Sequence, residues 1–455
     1  MSDIRLLLTN DFFGAFFPQP VSWGLLPGGH AVIRLVNRLR EGAAASAWID
    51  GGDFSGGGPL APASDGQLGW QAAATLGIDA AVPGNHEFDY GDDAMLAHSA
   101  RLPFPIVAAD LPSAPAWSAG DIAPIVRDHV VISAPNGRSV AVIGLCLPER
   151  RGLFVYDTLT DLPAAATGAL ELVKTLRTKP PNIDHIVVVI HEGVPIYPGL
   201  PLAGQALRAV QQLGPLRDFC RAMAAAGVDA VVGGHTLGRL VGDLGGIPFV
   251  QPWALGAEIG IIDIDSGGVT VGAQPVPAAW ARPWTGPGAD VEAELRQVVV
   301  GELDRPLATP ARDGAGSLAQ AVADGLLEVT GADVAVVHPI DVGCLQLALD
   351  GCMGYLPPGP VTEADVLRAL PWANGSWGDE VCAAELRPHE IALITTGLAA
   401  PGLPAGLARR DGAAAGATAI NRNYRATVER LLAREVEWTA TGNGQRDGLR
   451  TALAG

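Results

Sequence analysis

Five short apolar runs in the first half of the chain each lead into a side chain that can ligate a metal. Ile4 to Leu8 leads to Asp11, Ala47 to Asp50 to Asp53, Ile78 to Val82 to Asn85, Ile186 to Ile190 to His191, and Val228 to Val232 to His235. Runs of this length, bounded by Gly, Pro and Asn, read as buried strands. Helical patterns fall between them. His30 to Leu39 places Val32, Leu35, Val36 and Leu39 on one face, a second helix covers Leu68 to Leu76, and a third starts at Pro215 and stops at Ala226 before Gly227. This alternation makes an α/β domain, and open α/β sheets gather their sites just past the carboxyl ends of strands. Each residue taken singly also has a structural reading: an Asp capping a helix, an Asn holding a turn, a His satisfied in the core. Five strand ends of the same chemical kind point to one shared site. Two carboxylates, an amide and two imidazoles suit a borderline or hard divalent metal such as Mn, Zn, Fe, Ni or Co.

The densest stretch is Val82-Pro83-Gly84-Asn85-His86-Glu87-Phe88-Asp89-Tyr90-Gly91. Past a sharp turn at Pro83-Gly84 it offers an amide, an imidazole and two carboxylates within five positions. Asn85 can ligate through its side-chain oxygen, His86 can move a proton, and Asp89 can orient the imidazole by accepting its other N–H. A polar turn with Asn85 capping a helix is the alternative.

At 455 residues the chain is long enough for two or three domains. Apolar residues make up 48% and charged residues 17%, which excludes a disordered chain. A net charge of −18 without a basic stripe excludes nucleic-acid polymers and anionic membranes as partners. The five cysteines, Cys146, Cys220, Cys344, Cys352 and Cys382, form no CxxC pair. Together with an N-terminus that enters a strand at once, they lead to the expectation of a cytoplasmic protein. No apolar run reaches membrane-spanning length.

The blocks Leu8-Thr9-Asn10-Asp11, Gly51-Gly52-Asp53, Gly84-Asn85-His86-Glu87-Phe88-Asp89, His191-Glu192-Gly193 and Gly233-Gly234-His235-Thr236 carry a resemblance. In order, spacing and strand-end placement they resemble the 5′-nucleotidase family of calcineurin-like metallophosphoesterases, over residues 4 to 265. The resemblance implies an α/β/β/α sandwich of two sheets with two metals at the strand ends, followed by a smaller α/β substrate-binding domain. The expected division is a metal-binding domain over 1–280, a linker and connecting helix over 281–314, and the substrate domain over 315–455. Carried over by position, one metal keeps all its ligands, Asp53, Asn85, His191 and His235. The other keeps only Asp11 and the shared Asp53, because Phe13 and Leu237 stand where the family has histidines. His30 is a conceivable substitute ligand.

Trp280 to Asp290 reads as a Pro/Gly linker, followed by a helix from Val291 to Leu303. Further on, a helix over Ser317 to Leu327, a strand over Ala332 to Val337 and a capped helix ending at Leu370 are similar to the nucleotidase C-terminal domain. The resemblance implies that Trp372 stacks on a base and Asn374 bonds to it; the alternative is that Trp372 and Trp377 fill the core. The family's phosphate-gripping arginine has no counterpart in His338-Pro339-Ile340-Asp341-Val342-Gly343.

Three functions follow. The first is a metal-dependent phosphoesterase acting on a nucleotide-like small molecule with one retained metal, in which His86, held by Asp89, serves the leaving oxygen. The second is a repurposed mononuclear enzyme acting on a nucleoside-like compound without a phosphate. The third is a non-catalytic nucleoside- or nucleotide-binding protein.

Overall fold

Along the strand His185–Ile190, Val187 and Val189 face one side, Ile186, Val188 and Ile190 face the other, and both sides are buried. That pattern belongs to a strand covered on both faces, and it sets the layering of the first half of the protein. The computed structural model describes residues 2–21, 24–111, 126–146, 162–178, 183–194, 203–309, 316–337, 353–370, 380–397, 406–410, 413, 415–421 and 425–454. The chain divides into two units. Met1–Gln19, Leu25–Gly56 and Gly66–Pro287 form the first; Pro20–Gly24, Gly57–Asp65 and Gly288–Gly455 form the second.

In the first unit a seven-stranded sheet runs Gly268–Pro275, Glu258–Asp265, Ser2–Thr9, Ala43–Asp50, Ala80–Ala81, Ile106–Val107, Val126–Arg127. A six-stranded sheet runs Leu240–Asp243, Pro248–Gln251, Ala230–Val232, His185–Ile190, Ser139–Leu145, His129–Ser133. Ser2–Thr9 pairs parallel with Ala43–Asp50, and His185–Ile190 pairs parallel with both of its neighbours. The sheets share a core in which Ile4, Leu6, Leu8, Ala47, Ile49 and Ile262 meet Val140, Val142, Val187, Val189, Ala230 and Val232. On the far side of the six-stranded sheet, Ile143, Val188 and Phe249 pack against Val173, Leu216, Phe219 and Met223 of helices Leu162–Thr178 and Ala203–Ala225. The helix Gly29–Arg40 buries Val32, Leu35 and Val36 beside the other sheet. The α/β/β/α sandwich expected from the sequence is present. Burying each such aliphatic side chain contributes about 1.5–3 kcal/mol, so the strands hold rigidly the loops that leave their ends.

The second unit has a five-stranded sheet with the order Gly406–Arg409, Val334–Val337, Gly416–Asn421, Glu380–Leu386, Thr439–Gly444. Helices Leu318–Thr330 and Gln445–Ala454 pack on it through Leu318, Val322, Leu326, Leu449 and Leu453. They approach so closely that a Cβ at Gly325 would run into the Gly448 carbonyl. The helix Glu363–Ala369 starts with Thr362 and Asp365 in a capping box.

The elements differ from the sequence reading in two places. Pro215 does not open a helix but lies inside Ala203–Ala225. Residues 291–303 are not one helix: Ala289–Leu295 is helical and Val299–Leu303 is a strand pairing with Gly359–Thr362. The β-branched run Val298-Val299-Val300 favours the ladder over the helix. Among its described residues the stretch 281–314 therefore holds a helix and two short strands, Val299–Leu303 and Leu307–Thr309.

Candidate active site

The loops that leave the strands are tied together before their side chains converge. Gly51 N bonds Thr9 O at 2.7 Å, Asp11 N bonds Gly52 O at 2.8 Å and Phe13 N bonds Asp53 O at 2.8 Å. His191 N bonds Leu145 O at 2.9 Å, and Gly234 N bonds Glu192 O at 3.1 Å. These bonds continue the ladders past the strand ends. Asp11, Phe13, Asp53, His235 and Leu237 adopt left-handed backbone, with φ of 50°, 47°, 56°, 66° and 57°. Each such non-glycine residue costs roughly 1–2 kcal/mol, which persists only where the surroundings over-determine the conformation.

The structure brings Asp53, Asn85, His191 and His235 together, all buried. His191 Nδ1 lies 2.8 Å from Gly51 O, which can only accept, so Nδ1 carries a proton. Its Nε2 then faces two oxygens, Asp53 Oδ2 at 3.0 Å and Asn85 Oδ1 at 3.2 Å. Asn85 Oδ1 is also 2.9 Å from His235 Nδ1. Ligand atoms of Asp53, His191 and His235 lie within 4.8 Å of one another, the one such cluster of His, Cys, Asp or Glu among the described residues. Asp53 Oδ2 accepts no properly aligned hydrogen bond despite its burial. A knot of lone pairs with so few protons is relieved by a cation, and this donor set fits a divalent transition metal.

Asp11 reaches the same place: its Oδ2 accepts from His235 N at 2.9 Å and Asn10 Nδ2 at 2.7 Å, while its buried Oδ1 has no partner. Phe13 and Leu237 are buried, and the Phe13 ring meets the His86 ring edge-on at 5.4 Å. His30 is placed elsewhere, against Thr285 at 3.1 Å and the Trp284 ring. His86 Nδ1 is 2.9 Å from Asp89 Oδ2, and His86 N donates to Asp53 Oδ1 at 2.9 Å. Trp372, Asn374 and the stretch 338–343 lie outside the described residues.

The charges answer one another. Burial drives the Asp11 carboxyl up to about 7 against the opposing pull of His191. Burial would raise Asp53 as well, but His191 and His86 hold it below the usual carboxylate range. Burial disfavours both charged imidazoles, yet Asp53 carries His191 up to about 9, and Asp89 carries His86 up to about 9. Without a metal, protons on these rings take the place of the cation.

The sequence reading gave no role to Glu87. Its buried carboxylate accepts from Asp53 N and Gly84 N through Oε2, at 2.8 and 2.7 Å, and from Ser55 N and Ser55 Oγ through Oε1, at 3.0 and 2.8 Å. Its nearness to Asn85 was the one available signal.

Residues 9–239 match the calcineurin-like phosphoesterase family. Among curated proteins, the chain is 26% identical over 242 residues to Protein UshA of Yersinia enterocolitica, covering 51% of this chain and 40% of that protein. It is 24% identical over 263 residues to a 2′,3′-cyclic-nucleotide 2′-phosphodiesterase/3′-nucleotidase of Salmonella typhimurium, covering 50% and 38%. The matched stretch thus spans less than half the length of either relative. A 5′-nucleotidase precursor from Thermus thermophilus has the same fold, with a TM-score of 0.70 at 18% identity over 99% of this chain and 96% of that one. With its strand-end cluster and a match over half its length, the chain belongs to the calcineurin-like phosphoesterase family.

Proposed function

We propose that this protein is a metal-dependent phosphoesterase of the nucleotidase type, working with one divalent metal on a nucleotide-like small molecule. The observation that carries the reading is the convergence of Asp53 Oδ2, Asn85 Oδ1, His191 Nε2 and His235 Nδ1 beside the His86–Asp89 pair. Those four residues would hold a divalent cation, which would supply Lewis-acid chemistry toward a phosphoryl oxygen and toward water. The chain's own groups do the rest. Asp89 accepts the His86 Nδ1 proton and fixes the ring, so Nε2 is the atom that gives a proton to the leaving oxygen. Burial of the whole cluster keeps these charges strong. Phe13 and Leu237, apolar and buried, support one metal rather than two. The name of the Salmonella relative and its local similarity support a nucleotide-like substrate.

A second reading, a repurposed enzyme acting on a nucleoside-like compound that lacks a phosphate, is favoured by the missing arginine in residues 338–343. One experiment separates the two: elemental analysis of protein purified without chelator, with phosphate release from a nucleoside monophosphate panel in the presence of Mn, Zn, Fe, Ni or Co. One metal per chain with release supports the phosphoesterase. One metal without release from any ester supports the repurposed enzyme, and no metal overturns both.

A further inference from the structure

We infer that Glu87 is a positioning residue for the metal centre: its carboxylate fixes the Asp53 loop so that only one Asp53 oxygen faces the ligand cluster. This rests on the metal-binding reading above. Glu87 is 2% exposed, and no cation among the hydrogen bonds described above pairs with it. A buried carboxylate is tolerated only where donors replace water, and here four converge on its two oxygens. Three of the four come from the Asp53 loop: Asp53 N, Ser55 N and Ser55 Oγ. The fourth, Gly84 N, comes from the turn that carries Asn85. One side chain thus fastens the loops of two ligands to each other.

The link is reciprocal. His86 N donates to Asp53 Oδ1, which occupies that oxygen and leaves Oδ2 toward His191. Asp53 holds this orientation in left-handed backbone at φ 56°, which costs roughly 1–2 kcal/mol and which bonds on both sides of the loop help to maintain. Gly84 sits so close that a Cβ there would strike Asp53 Oδ1, so the two loops are in direct contact. Replacing one Glu87 oxygen by an amide sets a donor against N–H donors. The Asp53 loop is then expected to turn away, and the metal loses its best-placed anionic ligand.

The test uses the full chain loaded with cobalt(II), whose visible ligand-field spectrum reports coordination geometry independently of turnover. Glu87→Gln is expected to weaken cobalt affinity by roughly 10- to 100-fold and to alter the band, the effect of losing an outer partner of a ligand. Ser55→Ala removes one donor with less risk to folding and is expected to shift both in the same direction. Glu258→Gln changes another buried carboxylate of the same unit, paired with Arg239 at 2.8 Å, and is expected to leave affinity and band unchanged. If the parent gives a cobalt band and both Glu87→Gln and Ser55→Ala reproduce its affinity and spectrum, the positioning role is wrong while the metal reading stands. The positioning role is equally wrong if Glu258→Gln loses as much affinity as Glu87→Gln. If the parent gives no band at all, both fall.

Discussion

Asn85 Oδ1 and His235 Nδ1 stand 2.9 Å apart, joining two loops that are 150 positions apart in the chain. Neither group needs the other for folding: an amide at a turn and an imidazole past a strand are both satisfied by water if exposed. Their burial against His191 and Asp53 gives the contact meaning. His235→Ala removes one of four ligands while leaving the strand Ala230–Val232 intact. Metal affinity, measured by calorimetry, is expected to fall by more than the roughly 10–100-fold typical of losing an outer partner. The stabilisation expected from saturating metal in the parent, about 2.7 kcal/mol at a hundredfold excess over Kd and read as a rise in melting temperature, is expected to vanish. Binding equal to the parent's refutes the ligand assignment.

The His86–Asp89 pair makes a separate claim on turnover. In the proposed function the ring transfers a proton and the carboxylate, 2.9 Å from its Nδ1, holds the ring. His86→Ala is expected to lower kcat by roughly 10²–10⁴-fold with the metal still bound. Asp89→Asn is expected to lower kcat by less and to leave KM near the parent's. Because the two act as a unit, the double variant is expected to be no slower than His86→Ala alone, and a multiplicative loss in steady-state kinetics refutes the coupling.

The α/β alternation was legible because its signal is local, while the two-sheet sandwich came from the family resemblance. Runs such as Ile186 to Ile190 are apolar at every position, as a strand covered on both faces requires, and the polar residue after each run marks where the sheet ends. The five candidate ligands were legible for the same reason. Glu87 was not, because donors to its carboxylate lie 32 and 34 positions away, and only the folded chain makes neighbours of them. Val299–Leu303 was misread as helix because its strand partner, Gly359–Thr362, lies even further along the chain. His30 looked like a spare ligand from its type alone, but Trp284 holds it elsewhere.

Phe13 and Leu237 carry the argument for a single metal, and they allow it to be reversed. Both are buried in left-handed backbone on the loops of Asp11 and His235, so each Cβ is held in place by the fold. Asp11 Oδ1 has no hydrogen-bond partner there. The double change Phe13→His and Leu237→His is expected to raise bound metal from about one to about two per chain, since two added imidazoles join Asp11 and the shared Asp53. Elemental analysis of both proteins checks this. Two metals in the parent itself would show that oxygen donors alone suffice for the second.

Acid sensitivity has an anchor in the second unit. Glu390 Oε1 accepts from Arg434 Nε at 2.8 Å, and Oε2 accepts from Arg387 N at 2.8 Å at the start of the helix Pro388–Gly397. The Arg434 bond, more than any other cause, holds the Glu390 carboxyl down to about 2 from its ordinary 4.5. A folded-state value below the unfolded one means the unfolded chain binds the proton first as pH falls. The stabilisation is therefore complete above pH 4.5 and fades as pH drops toward 2. Glu390→Gln cannot titrate, so the gap in urea midpoint between parent and variant is expected to be widest at neutral pH and to close across that window. A gap that stays constant from pH 7 to pH 2.5 assigns the loss to packing and refutes the charge as its source.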